Sequence, residues 1–143
     1  MEPPCPVAEL EVEVASRLEV IDSLEEAAVD FGLAAGLDRE SAQLFGLALR
    51  EALTNAMRHG SGLDPGQSVR VSFARDDTGS LVLHVRDWGP GFVPAAVPDP
   101  RLPQQVELGC GRGLFFMRRF ADDVRFDFPP EGGCLVSLRK RLR

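Results

Sequence analysis

Lysine is almost absent from this chain of 143 residues, since Lys140 is the only one. A Walker-type phosphate loop requires the sequence Gly-Lys-Ser/Thr, and no glycine here precedes a lysine, so that class of nucleotide-binding protein is excluded. Basic residues are also in the minority, because 16 Lys and Arg face 22 Asp and Glu for a net charge of −6. Affinity for nucleic acid comes mainly from clustered basic side chains, so we expect no direct nucleic-acid binding.

Cysteine and long apolar segments are scarce as well. The three cysteines, at positions 5, 110 and 134, have no zinc-binding spacing, and their odd number argues against a disulfide framework. No apolar run approaches the ~18 residues of a membrane span, and residues 1–4 lack the basic and apolar features of a signal peptide. We therefore expect a cytoplasmic protein that makes no contact with a membrane.

The length and composition indicate one globular domain. Hydrophobic residues make up 44% of the chain and charged residues 27%, which is an ordinary globular mixture. One domain typically takes about 100–200 residues. We predict a flexible tail over residues 1–7, which hold three of the 11 prolines, and a single domain over residues 8–143.

Patterns of apolar residues predict the order of helices and strands. Apolar and polar residues alternate over 9–14, 68–74, 81–87, 124–128 and 135–138, which predicts strands. A helix is predicted over 17–33 from the apolar residues Leu18, Ile21, Leu24, Ala28 and Phe31, with Gly36 as its stop. Asp38 is the predicted N-cap of a second helix that runs to about His59, with Gly60 as its stop, and a third helix is predicted over 114–121.

The order β-α-α-β-β-loop-α-β-β predicts an α+β fold. Strands grouped as hairpins, with helices between them, are typical of a two-layer sandwich with a mixed, mostly antiparallel sheet and helices on one face. Residues 87–113 carry 10 of the 25 glycines and prolines of the chain. Long irregular segments inside compact domains are usually functional or disordered.

The spacing of three polar residues singles out the second predicted helix. Glu51, Asn55 and His59 lie four residues apart, so they share one stripe of the helix beside its apolar face. One interpretation is a solvated polar face with a histidine near the negative end of the helix dipole. The other is a site in which Glu51 accepts a proton and Asn55 offers an oxygen to Mg²⁺, a cation that prefers oxygen ligands.

Asp87 ends an otherwise apolar predicted strand and is followed by Trp88, Gly89 and Gly91. A structural turn explains the glycines but not the carboxylate. A part-buried carboxylate can accept a hydrogen bond from the exocyclic amino group of a base, and neighbouring glycines allow close backbone approach. Both interpretations stay open on these residues alone.

A second glycine-rich segment, from Gly109 to Gly113, precedes the third predicted helix. Position 114 is leucine, so the dinucleotide fingerprint Gly-x-Gly-x-x-Gly is not met. A glycine-rich turn before a helix still presents free N–H groups to an anion. Arg112 favours this anion-binding interpretation over a flexible linker.

Together, the three segments occur in a recognisable order: Glu51-x-x-x-Asn55, then Asp87-x-Gly89-x-Gly91, then Gly111-x-Gly113. With them the chain resembles the GHKL ATPase superfamily, which includes histidine kinases, gyrase and MutL, over residues 8–140. Within it the chain looks most like the bacterial anti-sigma-factor serine/threonine kinases of the RsbW type. Residues 51–60 match that family's N box, residues 87–92 its first glycine box, and residues 111–117 with 122–124 its second.

The resemblance implies a Bergerat-type ATP pocket between the sheet and the helices. Asn55 would hold Mg²⁺, Glu51 would be the general base, and Asp87 would bind the adenine amino group. The other ATP-binding residues that the resemblance implies are Arg58, Gly89, Gly91, Gly111, Arg112, Gly113 and Leu114. Residues 92–110 would form the lid of the pocket, and catalysis would consist of positioning and charge neutralisation.

The resemblance also implies partners. The substrate would be a serine or threonine of an anti-anti-sigma protein of the STAS type, the second partner a sigma factor, and the chain itself a homodimer. Two positions depart from the family pattern. Cys134 stands where relatives often have a threonine that supports the adenine-binding aspartate, and Gly109 stands where some sporulation-type relatives have an arginine, a role that Arg112 could take.

Two alternatives to a kinase stay open. These departures favour a nucleotide-sensing or ATP-independent partner-binding module with little kinase activity. A detached ATPase domain of a sensor histidine kinase is the other alternative. It lacks support because the only histidines, His59 and His84, fall on the N box and on a predicted strand and not on a dimerising phosphoacceptor helix.

Overall fold

The structure is a computed structural model that describes residues 7–60, 67–76, 78–88 and 117–142. The chain begins with strand β1 (Val7–Ala15) and helices α1 (Glu19–Ala35) and α2 (Arg39–Asn55), and α2 continues into a π-helical turn (Ala56–Gly60). The hairpin β2 (Ser68–Arg75) and β3 (Ser80–Asp87) follows, and the last strands are β4 (Asp123–Asp127) and β5 (Cys134–Arg141). Residues 117–120 are helical as well.

The five strands form one sheet in the order β1-β2-β3-β5-β4, and each neighbouring pair is antiparallel. Alternate residues of β3 (Leu81, Leu83 and Val85) are fully buried in the same core as residues of α1 and α2. We call this side of the sheet the helix face and the opposite side the outer face. The predicted α+β sandwich, with a mostly antiparallel sheet and helices on one face, is confirmed.

The connection between α1 and α2 follows the predicted capping pattern. Gly36 ends α1 in the left-handed conformation with φ of 109°, which a glycine adopts without a steric penalty. The carboxylate of Asp38 accepts a hydrogen bond of 2.7 Å from the backbone N–H of Ser41, and this bond lowers the pKa of Asp38. The prediction was wrong for one residue of the apolar stripe, because Leu18 precedes the first turn of α1 and 42% of its surface is exposed.

The last turn of the second helix differs from the prediction. The helix does extend to Gly60, but its α-helical part ends at Asn55, and the remaining five residues form a π-helical turn. A π turn bonds residue i to i+5, so it accommodates one extra residue per turn, and such turns are frequent at functional sites. This change of winding occurs immediately after the predicted magnesium ligand, Asn55.

Four phenylalanines join the two layers. Phe45 of α2 stacks on Phe120 with ring centroids 5.1 Å apart and meets Phe73 of β2 edge-on at 5.7 Å. Phe31 of α1 lies 5.5 Å from Phe73. On the solvent side of the helices, Arg50 contacts acidic residues of α1 at 2.7 and 2.8 Å. Aromatic packing thus fixes the helix layer to β2 of the sheet.

Candidate functional site

The C-terminal end of α2 carries the residues of the predicted N box. Glu51 and Asn55 are half-buried, one turn apart, and the intervening Ala52 and Leu53 are fully buried in the core. Arg58 is exposed in the π-helical turn. This turn contacts β3. The two polar side chains therefore lie where α2 meets the sheet, at the border between core and surface.

Asp87 is the last residue of β3 and is only 3% exposed. Strand alternation places it on the helix face, in line with Leu83 and Val85. An aspartate is almost never so fully buried without a partner, because removing a carboxylate from water is costly. Asp87 is therefore buried more deeply than the part-buried carboxylate that the sequence suggested, and it faces the same layer as the end of α2.

Cys134 is the first residue of β5 and lies opposite Asp87 in the antiparallel pair of β3 and β5. Its side chain is 1% exposed. Burial raises the pKa of the Cys134 thiol to about 12, and the charge of the neighbouring Asp87 carboxylate adds to the rise. The thiol is therefore neutral at pH 7, with an S–H group that is only a weak hydrogen-bond donor.

The turn before β5 packs directly against the end of β3. Gly132 and Gly133 have φ angles of 104° and 82°, a conformation that favours glycine. A Cβ atom added at Gly133 would overlap the carbonyl oxygen of Asp87 and would lie 2.9 Å from the Cα atom of Trp88. The sequence pattern predicts a hairpin turn at these glycines but gives no sign of their contact with Asp87.

On the outer face, Trp88 is 40% exposed and lies under two guanidinium groups. The Cζ atoms of Arg70 and Arg86 are 5.1 and 5.0 Å from its ring centroid, which is the range of cation–π attraction. Arg86 also donates a hydrogen bond of 2.9 Å to the carbonyl oxygen of Gly132. Arg86 was not among the predicted site residues, because nothing in its local pattern distinguishes it from any polar residue of an alternating strand.

The rest of the predicted site lies outside the described residues. These positions are Gly89, Gly91, Gly111, Arg112, Gly113 and Leu114, together with the predicted lid over 92–110. Of the predicted site residues, the structure therefore places Glu51, Asn55, Arg58 and Asp87. It brings the end of α2 and the end of β3 to the same side of the sheet.

This arrangement offers two kinds of polar oxygen at the edge of the core. The Asp87 carboxylate can accept hydrogen bonds from an amino group, and the Asn55 amide oxygen is a hard, neutral ligand of the kind that Mg²⁺ accepts. The carboxylate at the end of β3 thus fits an adenine amino group, and the amide oxygen on α2 fits a phosphate-bound Mg²⁺.

Among the described residues, no helix is both long and apolar enough to cross a membrane.

Comparison with known proteins places the chain among nucleotide-binding domains. Residues 14–140 match the family described as histidine kinase-like ATPase domain. An anti-sigma F factor of Heyndrickxia coagulans is 38% identical over 96 residues, which are 64% of this chain and 64% of that protein. An anti-sigma F factor of Geobacillus thermodenitrificans is 35% identical over 96 residues, with the same 64% of each chain covered. The match thus spans about two thirds of the length of these curated relatives.

Solved structures share the fold at low sequence identity. A chain in the crystal structure of the SiaB–SiaC complex from Pseudomonas aeruginosa matches with a TM-score of 0.70 and 15% identity, covering 92% of this chain and 89% of that one. The structure of the RsbU and RsbW domains of a Mycobacterium tuberculosis protein matches with a TM-score of 0.63 and 17% identity, covering 92% of this chain and 32% of that one. Likeness at these identities supports the fold alone.

Proposed function

Because this chain belongs to the family of histidine kinase-like ATPase domains, we propose that it binds ATP with Mg²⁺ between α2 and the end of β3. We further propose that it is an anti-sigma regulator that phosphorylates a serine or threonine of an anti-anti-sigma protein. The observation that carries the proposal is the buried carboxylate of Asp87, which faces the helix layer at the end of a strand. A carboxylate in this position is suited to accept a hydrogen bond, and the adenine amino group can donate one.

Asp87 gives the proposed site its selectivity for the base. The exocyclic amino group of adenine donates a hydrogen bond to the carboxylate, whereas guanine carries an acceptor oxygen at the corresponding position. The close approach of Gly133 to the Asp87 carbonyl fixes the backbone from which this carboxylate projects. We therefore expect the site to prefer ATP to GTP.

The end of α2 supplies the residues for phosphoryl transfer. Asn55 would hold Mg²⁺, which when bound neutralises the charge that develops on the phosphates. Glu51 lies one turn earlier on the same stripe, and as a general base it would take the proton from the attacking hydroxyl. Arg58 is exposed in the following turn, from which a guanidinium can pair with phosphate oxygens. Gly111, Arg112, Gly113 and Leu114 remain proposed phosphate-binding residues, and Gly89 and Gly91 remain proposed positions below the base.

The proposed partners rest on the names of the relatives. Two relatives that share 35–38% identity with this chain are anti-sigma F factors. An anti-sigma factor acts on a sigma factor, so we propose a sigma factor as one partner and an anti-anti-sigma protein of the STAS type as the phosphorylated one. A homodimer remains part of this proposal.

A phosphotransfer assay with two matched glutamate variants tests the proposed reaction. Wild-type protein, Glu51→Gln and Glu40→Gln are incubated with γ-labelled ATP, Mg²⁺ and each STAS-type protein encoded in the same genome. Removal of a general base costs about 10²–10⁴-fold in rate, so Glu51→Gln should bind ATP normally but lose transfer by that factor. Glu40 lies exposed in the first turn of the same helix and should tolerate the change. A Glu51→Gln protein that transfers phosphate at the wild-type rate would contradict the assignment.

One observation favours a second candidate, a nucleotide-gated binding module with little kinase activity. The residue opposite Asp87 is a cysteine whose raised pKa keeps it neutral, and an S–H group can donate only weakly to a carboxylate. Asp87 would then be held less firmly than by a hydroxyl. The same assay, run beside a calorimetric titration of Mg-ATP, distinguishes the two functions, because a binding module retains Mg-ATP affinity while no STAS-type protein becomes labelled.

A further inference from the structure

Arg86 precedes Asp87 on β3, and the two side chains lie on opposite faces of the sheet. The side chain of Arg86 is only 13% exposed on the outer face. An arginine so deeply buried is unusual, because its guanidinium loses most of its hydration. Its contacts should therefore reveal what it stabilises.

Three of those contacts surround the strand end that bears Asp87. The Nη2 atom donates to the carbonyl oxygen of Gly132 at 2.9 Å, across 46 residues of sequence. The same atom lies 4.0 Å from a carboxylate oxygen of Glu131, and the guanidinium is stacked 5.0 Å from the ring centroid of Trp88. Arg86 thus connects β3, the residue after Asp87 and the turn before β5.

The burial of Arg86 is incompletely compensated. Its Nε atom is buried and has no hydrogen-bond partner among the described residues. A buried unsatisfied donor is destabilising, so it offsets part of the stability that the other contacts of Arg86 supply. Where a residue breaks a local rule of this kind, the site is often functional.

The turn that Arg86 contacts packs against the backbone of Asp87. Gly133 follows Gly132, and a Cβ atom added to Gly133 would overlap the Asp87 carbonyl oxygen, so no side chain fits there. Movement of the Gly132 carbonyl would shift the adjacent Gly133, which packs against the backbone of Asp87. We propose that Arg86 is a positioning residue for base recognition, which orients the Asp87 carboxylate from the opposite face of the sheet; this inference rests on the proposed function of Asp87.

Arg70 provides a matched control for the role of Arg86. Its guanidinium contacts the same Trp88 ring at 5.1 Å, but it is 48% exposed and pairs with Glu13 at 3.3 Å. Among the residues that the structure describes, its ion pairs are with glutamates of β1 and not with the turn before β5. Changing Arg70 therefore removes an arginine from Trp88 and leaves the bond between Arg86 and Gly132 in place.

The test is calorimetric titration of ATP and of GTP into wild type, Arg86→Met, Arg86→Lys and Arg70→Met, each with its melting temperature. One hydrogen bond typically changes affinity about threefold to tenfold. We expect Arg86→Met to weaken ATP binding by that factor while GTP binding stays constant. The ratio of ATP affinity to GTP affinity should therefore fall by the same factor. Arg86→Lys should recover part of the preference, since an ammonium can still donate to the Gly132 carbonyl. Arg70→Met should keep it.

A purely structural role for Arg86 predicts a different pattern. The affinities for ATP and GTP would then fall together with the melting temperature, and this result would overturn the inference, as would an equal effect of Arg70→Met. If Arg86→Met does not fold, Arg86→Lys alone decides the question. A ratio of ATP to GTP affinity below that of wild type would support the positioning role, and an unchanged ratio would overturn it. Asp87→Asn separates the role of Arg86 from that of Asp87. If it loses the preference while both Arg86 variants keep it, only the positioning role of Arg86 fails; if it keeps the preference, the proposed base recognition fails too.

Discussion

Replacement of Gly133 by alanine tests how tightly the turn before β5 is packed against the end of β3. At φ of 82° an alanine is strained by about 1–2 kcal/mol. Its Cβ would also overlap the Asp87 carbonyl oxygen, and forcing extra volume into a packed site adds about 1–3 kcal/mol. We expect the free energy of unfolding to fall by about 2–5 kcal/mol in total.

Gly79→Ala is the matched control for this variant. Gly79 has nearly the same φ, 83°, but a Cβ added there would meet nothing within 4 Å. The backbone strain and the entropy that alanine removes from the unfolded chain are therefore common to both variants. In urea unfolding experiments, Gly133→Ala should be less stable than Gly79→Ala by about 1–3 kcal/mol, the cost of the overlap alone. Equal destabilisation of the two variants would refute the close packing of Gly133 on Asp87.

Two further predictions concern the core. Since the folded-state pKa of Cys134 is raised from 9.0 to about 12, its contribution to stability is complete below pH 9 and is lost as the pH rises, by about 1.4 kcal/mol per unit. The chain has no tyrosine and one lysine, so few other groups titrate between pH 8 and pH 10.5. Urea unfolding over this range, in a variant without Cys5 and Cys110, should reveal the slope, and a further Cys134→Ala change should abolish it. An identical slope in both proteins would exclude the raised pKa. Phe45→Ala should lower the free energy of unfolding by about 3–5 kcal/mol because the ring is fully buried. Arg50→Met, which removes an exposed ion pair with Asp22 and a part-buried one with Glu25, should cost about 1 kcal/mol or less, and a Phe45 variant no worse than this would contradict the aromatic core.

Local patterns were sufficient to predict most of the fold. The strands and helices follow from alternation and helical spacing, and both residues predicted at the junction of α1 and α2 act as expected, with Gly36 left-handed and Asp38 capping α2. The strand that ends at Asp87 was also predicted, whereas its residues left open whether the carboxylate serves a turn or a binding site. These features depend on residues that are near one another in the sequence.

The features that were missed depend on long-range contacts or on small changes in winding. The π-helical turn after Asn55 adds one residue per turn, and the apolar pattern continues through it without a visible break. The bond between Arg86 and the Gly132 carbonyl spans 46 residues, so it cannot be predicted from the local sequence around either residue. Gly133 was recognisable as a turn residue, but only the register of β3 and β5 places it against Asp87.

Isothermal titration calorimetry with a non-hydrolysable ATP analogue, with and without Mg²⁺, tests whether the chain binds ATP and whether Asp87 contributes to that binding. Wild-type protein should bind with micromolar affinity that increases with Mg²⁺. Asp87→Asn removes a charged hydrogen bond of about 1.5–3 kcal/mol and should weaken binding about tenfold to a hundredfold. Asp127→Asn, at the exposed end of β4, should bind like wild type. A folded, nucleotide-free protein that does not bind the analogue would exclude the proposed ATP site, and an Asp87→Asn variant with wild-type affinity would exclude base recognition by Asp87.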